Sequence, residues 1–230
     1  MTNSPDEDGF SADRSATVAR YTRAMESAMS AQQAFVHSSL VSEAGYFHGL
    51  TRTETGQYGL TYNRQWGLHA EADALAVAEW VRIGAPLDGL WKIHYGDDLE
   101  HWETPLLTAL VDERVAVAQA LLAAGADVDA PNFYIDENKV TLAHTALHMM
   151  VARGEIGHVR RLIDAGADVN RQTTDGATPL ALAAADDAVA IVRALLDAGA
   201  DTKIGDFFGR TPVSRSGPQT RALLSGQYSS

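Results

Sequence analysis

His144 and His148 stand four residues apart, the spacing that puts two imidazoles on one helix face, as a metal pair requires. The intervening Thr145-Ala146-Leu147 supplies no glutamate to act as general base, and no third ligand lies near in sequence. His94 and His101 flank Asp97 and Asp98, a set able to attract a cation weakly, but the spacing matches no coordination loop and reads rather as a solvated acidic loop. Asp186-Asp187 falls between two helical segments, where an exposed turn offers no desolvation to raise a carboxyl pKa. The chain holds no Gly-x-Ser-x-Gly elbow, no phosphate loop and no Gly-x-Gly-x-x-Gly turn. It has no cysteine, hence no thiolate nucleophile or thiolate metal site. The expectation is a protein without a catalytic centre, a metal or a cofactor.

Length and composition bound what must position these residues. At 230 residues the chain fits one elongated domain or a domain with an appendage. Hydrophobic residues at 46% permit a large core, while aromatics at only 7% make that core mostly Ala, Leu and Val, which suits closely packed helices. A net charge of −12 repels phosphate backbones and anionic lipid, which sets nucleic acid and membranes aside and favours a partner protein with a basic surface. Met1 to Arg14 is polar and acidic, without the basic start and apolar run of a secretory signal, and no stretch reaches the ~20 apolar residues of a membrane span. These features predict a soluble, cytoplasmic protein.

Two markers repeat along the chain. Gly-Ala pairs occur at Gly84, Gly125, Gly166 and Gly199, and a Thr-led signal at Thr104-Pro105-Leu106, Thr145-Ala146-Leu147, Thr178-Pro179-Leu180 and Thr211-Pro212-Val213. In three units the Thr precedes the Gly by 21 residues, so two independent signals keep one offset. The Thr hydroxyl can cap a helix start, Pro suits the first helical position, and Gly past the second helix can take the left-handed conformation that ends it. Apolar residues at helical spacing lie between: Leu180, Ala183, Ala184, Ile191, Val192, Leu195 and Leu196 in one unit, with Leu147, Met150, Val151, Val159, Leu162 and Ile163 in the same slots before it. Each unit is a helical hairpin that must stack on neighbours to bury its apolar faces.

At these residues the chain resembles the ankyrin repeat family. Asp175-Gly176-Ala177-Thr178-Pro179-Leu180 through Leu195-Leu196-Asp197-Ala198-Gly199-Ala200-Asp201 is close to the family consensus, and Thr145-Ala146-Leu147-His148 with Ala165-Gly166-Ala167-Asp168-Val169-Asn170 nearly so. The resemblance implies an all-α, ankyrin-repeat solenoid of stacked helical hairpins, and a binding scaffold rather than an enzyme. It also assigns His148 a structural role, bonding back towards the Thr145 hydroxyl. The organisation expected is a disordered stretch over 1–14, a helix and loop appendage over 15–62, a degenerate capping repeat with a long loop over 63–100, three repeats over 101–203 and a truncated cap over 204–226. Within the appendage Ser15 to Glu43 reads as one helix, striped by Val18, Tyr21, Met25, Met29 and Phe35 and capping the first degenerate repeat. Ala44 to Tyr62 reads as loop with one hairpin. The degenerate repeat begins near Asn63 and ends its second helix with Ala76, Val77, Trp80 and Val81; at the other end Gly217-Pro218 reads as a break.

The candidate binding residues are where the chain departs from the repeat. The Gly-to-Gly steps 84 to 125 and 125 to 166 are each 41, eight beyond 33, and the extra residues fall in the protruding hairpins the family calls fingers. These carry Trp91, His94, Tyr95, Asp97, Asp98, Trp102, Phe133, Tyr134, Asp136 and Glu137, with six acids against Lys92 and Lys139. Aromatics are typical interface anchors and acids draw in a basic partner, though the same aromatics could pack the hairpins together. By the family's geometry Thr108, Asp112, Met149, Arg153, Leu182 and Asp186 line a concave groove, and Phe207 and Phe208 sit on the last finger tip. Together they predict a monomeric protein-binding module. One reading makes it an inhibitor or immunity protein neutralising a basic toxin or enzyme; a second makes it a scaffold or adaptor; a third hides an enzyme in the appendage.

Overall fold

The computed structural model describes residues 6–36, 50–52, 58–60, 77–78, 81–82, 84, 86–93, 100–135 and 141–225. The chain divides into two compact units, Arg23–Val140 and a second formed by Met1–Thr22 with Thr141–Ser230. The degenerate repeat's start near Asn63, together with Ala76 and Trp80, lies outside the described residues.

In the unit Arg23–Val140, strands β1 (Leu50–Arg52) and β2 (Tyr58–Leu60) form the hairpin expected in the appendage, with Leu50 paired to Leu60. The first long finger is strand as well: β3 (Trp91–Ile93) and β4 (Glu100–Glu103) pair antiparallel, and β4 pairs with β5 (Asn132–Ile135) of the second finger. The protein is therefore rich in helix but not all-α, because eight added residues per finger are enough to pair two extended segments. Helices α2 (Pro105–Val111) and α3 (Val115–Ala123) form the hairpin of this unit. The Thr104 hydroxyl accepts from the Leu107 amide, and buried Asn132 accepts from the Thr104 amide at 2.7 Å, joining finger to helix start. Leu106, Leu107, Leu110 and Leu121 fill its core. Asp88 takes the Asp127 amide at 2.9 Å, just as Asn170 takes the Asp201 amide at 2.8 Å in the other unit. That equivalence puts the turn after Gly84 in register with the repeats. Val77 is buried as expected there, while Val81 is 47% exposed.

The other unit stacks helical hairpins. After β6 (Thr141–His144), α4 (Ala146–Ala152) and α5 (Ile156–Asp164) make one hairpin, α6 (Pro179–Ala185) and α7 (Val189–Asp197) the next, and α8 (Pro212–Arg215) with α9 (Pro218–Leu224) a short last one. First helices pack on first helices, α4 on α6 on α8, and second on second, α5 on α7 on α9. The repeating slots are the core: Leu147, Met150, Val151, Val159, Leu162, Leu180, Ala183, Ala184, Val192 and Leu195 are all buried. Ile163 and Leu196, one position further round, are half-buried.

Two terminal expectations change. Gly217-Pro218 does not break the last repeat; Gly217 is the N-cap of α9 and Pro218 its first residue, where the missing amide proton costs nothing. A side chain at Gly217 would meet the Asp187 carboxyl at 2.5 Å, and that carboxylate is what caps the helix. It accepts from the Thr220 amide at 2.8 Å, the Gln219 amide at 3.3 Å and the buried Thr220 hydroxyl at 2.8 Å. These bonds, the Thr220 amide foremost, hold the Asp187 pKa below its ordinary value despite some desolvation. Its contribution to stability is therefore present above the ordinary carboxylate pKa and lost as pH falls through the lowered one. Asp187→Ala is expected to free the first turn of α9, seen as faster hydrogen exchange of the Gln219 and Thr220 amides with α4 to α7 unchanged.

Helix α1 (Asp6–Val36) begins inside the stretch read as disordered; residues 37–43 of the expected helix lie outside the described residues. Among its described side chains Tyr21 and Thr17 are buried, whereas Val18 and Met29 are exposed; the side chain of Phe35 is not among those described. Tyr21 donates its hydroxyl hydrogen bond to the carbonyl of Gln172, in the loop before α6. No helix among the described residues is long and apolar enough to cross a membrane.

Candidate protein-binding surface

The loops before α6 and α8 are built by one hydrogen-bond pattern. In the loop before α6 the Thr173 amide donates to the Ala177 carbonyl at 3.0 Å and the Thr173 hydroxyl accepts from the Ala177 amide at 3.0 Å. Before α8 the same places hold Asp206 and Arg210, with the matching bonds at 3.0 and 2.9 Å. Gly176 and Gly209 close both turns with positive φ, 85° and 72°. The tip between them is Thr174-Asp175 in one loop and Phe207-Phe208 in the other.

Asp206 makes the second tip rigid. Its side chain is fully buried and accepts from the Phe208 amide at 3.0 Å and from the Arg210 Nε at 2.7 Å, with Arg215 at 3.5 Å. Burial works to raise its pKa, but the Arg210 and Phe208 amides and the Arg210 guanidinium outweigh it and hold the carboxyl ionised, below the ordinary value.

The two phenylalanines then part ways. Phe207 is 4% exposed, its amide bonded to the Asp175 carbonyl at 3.2 Å and its ring against Gly176, where a Cβ would sit 2.9 Å from the ring. The expectation that Phe207 stands on the tip is corrected: the close approach of the two loops buries it. Phe208 is 68% exposed, with the Arg210 guanidinium 5.0 Å from its ring centroid.

The fingers of the unit Arg23–Val140 show a similar split. Trp102 lies in β4 opposite both Lys92 and Phe133; it is half-buried, its Nε1 donating to Glu100 at 3.3 Å. Phe133 is fully buried and belongs to the core, a second correction to the binding set. Tyr134 is half-buried and meets the buried His101 ring edge-on at 4.6 Å. Trp91 lies in β3. His94, Tyr95, Asp97, Asp98, Asp136 and Glu137 lie outside the described residues.

The groove candidates occupy equivalent places. Asp112, Arg153 and Asp186 are the C-caps of α2, α4 and α6; Arg153 and Asp186 are exposed and Asp112 half-buried. Thr108, Met149 and Leu182, one turn earlier, are half-buried. All six are thus reachable by solvent.

His148 is structural. Its Nδ1 accepts from the Thr145 amide at 3.2 Å and lies 2.8 Å from the Thr145 hydroxyl, and its Nε2 reaches the Arg171 carbonyl at 3.0 Å and the Ala177 carbonyl at 3.3 Å. Both nitrogens are engaged, and burial lowers its pKa to about 4. His144 lies in β6, ahead of the helix, so the two imidazoles do not share a helix face. No group of three or more His, Asp or Glu among the described residues is placed to hold a metal ion.

Three structural contacts have no counterpart among the sequence expectations: the Asp187 cap, the Asp206 clamp and the Tyr21–Gln172 bond. The Asp206 clamp had a signal, since it falls in the Thr173 slot of the repeat. The other two join residues 33 and 151 apart, with no local pattern to mark them.

Comparison with known proteins agrees with the repeat geometry. Residues 162–215 match the family model described as ankyrin repeats (many copies), and residues 144–174 match the one described as ankyrin repeat. The chain is 31% identical over 96 residues to Ankyrin repeat and SOCS box protein 5 of Mus musculus and 32% identical over 96 residues to that of Bos taurus. Each alignment takes in 42% of this chain and 26% of the relative, so the chain spans about a quarter of these relatives' length.

Proposed function

We propose, from the premise that this is an ankyrin repeat protein, that it works by binding another protein, and that its partner presents a basic surface. Ankyrin repeats are protein-interaction modules and generally carry no catalysis of their own. The observation that carries the reading is Phe208: a phenylalanine 68% exposed on a turn that Asp206 holds fixed. Exposed apolar side chains are ordinary on mobile loops, but one fixed in advance loses little entropy when a partner covers it.

The sign of the partner follows from the distribution of charge. Residues 23–140 carry seven Lys and Arg against seventeen Asp and Glu, a net −10, while residues 141–230 carry nine of each. A basic partner is drawn to the first of these units, and the long fingers with Trp91, Trp102 and Tyr134 lie there. The first-helix position Asp112 is a further candidate in this unit, and Met149, Arg153 and Asp186 are the candidates of the other. A monomeric, cytoplasmic binder of this kind suits an inhibitor or immunity protein that covers the working surface of a basic toxin or enzyme; an adaptor would hold its partner without stopping it.

The test is capture from native lysate at low and moderate salt, beside a variant carrying Trp102→Ala, Tyr134→Ala, Asp97→Asn and Asp98→Asn. One basic protein is expected, weakened by salt and lost from the variant. A partner that is toxic when expressed alone and harmless beside this chain makes it an inhibitor; a partner whose activity is unchanged makes it an adaptor. Retention of an acidic partner, or capture indifferent to salt, would remove the charge argument.

A further inference from the structure

The turn that carries Phe208 also carries a fixed cation. The Arg210 Nε donates to Asp206 at 2.7 Å, and the Asp206 side chain that holds it is fully buried. The same guanidinium lies over the Phe208 ring, 5.0 Å from its centroid. Held by one edge and stacked by one face, the group has a set direction although the Arg210 side chain is 51% exposed. Among the described residues its two Nη atoms donate to no protein group, so the end-on edge of the fork is left unused beside the exposed ring.

Charge around this turn has the opposite sign to that of the chain. Arg215 reaches Asp206 at 3.5 Å, so one buried carboxylate faces two guanidinium groups and leaves one positive charge over. Residues 202–230 hold Lys203, Arg210, Arg215 and Arg221 against the single acid Asp206, in a chain of net charge −12. The acid on the adjoining loop tip, Asp175, already accepts from the Thr173 hydroxyl.

A guanidinium fork with a free edge takes a carboxylate in two parallel hydrogen bonds, and a ring beside it takes an apolar side chain. A cationic side chain brought to the same place meets like charge. We propose that Phe208 and Arg210 form one recognition element, which seats a partner segment having an aspartate or glutamate next to an apolar residue. This rests on the reading that the turn binds a protein and gives that contact its chemistry. It concerns one segment and not the partner's net charge: a protein that is basic towards the unit Arg23–Val140 presents an acidic segment here. Because fork and ring are fixed beforehand, little side-chain entropy is lost when they are covered.

The probe is the peptide acetyl-Leu-Glu-Glu-Leu-amide, titrated at low salt into the isotope-labelled full-length chain and followed by two-dimensional amide NMR, beside its Gln-Gln and Lys-Lys counterparts. The Glu peptide should move the Phe208 and Arg210 amides and the Arg210 Nε–H signal. The Gln peptide should bind about fivefold more weakly and the Lys peptide not at all, and added salt should erase the preference. Arg210→Gln should make the Glu and Gln peptides equal, with the amide signals of α4 to α7 unchanged as the sign of an intact stack. Phe208→Ala should weaken both peptides alike and keep the preference between them, a result that does not depend on the Arg210 variant folding. Equal affinity of the parent for the Glu and Gln peptides overturns the proposal, as do shifts confined to other parts of the chain or no shift at all. A preference for the Glu peptide at this turn, with no protein captured from lysate, counts against a cellular partner alone; a captured protein without that preference counts against this proposal alone.

Discussion

Replacing His148 with leucine is expected to lower the unfolding free energy by about 3 kcal/mol at neutral pH, read as a lower urea midpoint without a change of slope. Leucine fills much of the volume of the ring but bonds to nothing. The Thr145 amide and the Arg171 and Ala177 carbonyls are then left in an interior where His148 is 1% exposed, each costing about 1–3 kcal/mol if no water replaces the imidazole. The same residue makes the fold acid-sensitive. Burial is the main cause of its pKa of about 4, aided by the nearby Arg171 charge and opposed by the carbonyls it bonds and by Asp175. Accepting a proton at Nδ1 would also turn an N–H towards the Thr145 N–H. As pH falls below the ordinary 6.5 the unfolded chain gains this proton while the folded chain does not. The stabilisation is therefore complete above about 6.5 and drains away as pH approaches about 4, a difference worth about 3 kcal/mol. The seven other histidines and the carboxylates titrate as well, so the informative quantity is parent minus His148→Leu. That difference should shrink between pH 7 and pH 4.5; a constant difference would mean that His148 titrates alike in the folded and unfolded chains.

What the sequence revealed and what it hid divide along the range of the forces involved. Thr104, Thr178 and Thr211 accept the amide bonds expected of helix caps, from Leu107, Ala181 and Ser214, because a cap is settled within four residues. Gly125, Gly166 and Gly199 take positive φ for the same local reason. The apolar slots from Leu147 to Leu195 are buried because helical periodicity fixes a face before any partner is known. Judgements that needed to know which segments meet were the ones that failed. Of the α1 stripe Val18, Tyr21, Met25, Met29 and Phe35, Tyr21 is buried while Val18 and Met29 are exposed; Tyr21 shares its face with buried Thr17 and bonds to a carbonyl 151 residues away, which no local pattern marks. Gly217-Pro218 resembles a stop until Asp187 arrives from the previous repeat to cap α9. The fingers were legible as insertions by their length alone. Their pairing as strands was not, since neither Glu100–Glu103 nor Asn132–Ile135 alternates cleanly between apolar and polar residues.

Phe207 and Phe208 should respond in opposite ways to the same change. Phe207→Ala is expected to cost about 3–4 kcal/mol of stability, since it removes a ring that is 4% exposed and leaves a cavity against Gly176 that the backbone bond to Asp175 prevents from closing. Phe208→Ala should shift stability by no more than about 0.5 kcal/mol, because the ring is 68% exposed and the turn is held by Asp206 through main-chain amides that alanine retains. Its effect should fall on binding instead, weakening the partner's hold by about 2 kcal/mol, roughly 30-fold, as loss of a central aromatic anchor does. Both variants are first compared by thermal unfolding without a partner, then Phe208→Ala by titration with the captured protein. The adjacent positions control for each other: backbone, loop and residue type are shared, and only the direction of the ring differs. Should Phe208→Ala melt early while Phe207→Ala does not, the assignment of core and surface in this loop is reversed. A stable Phe208→Ala chain with full affinity would instead move the anchor to Trp102 and Tyr134, whose alanine variants would then carry the loss.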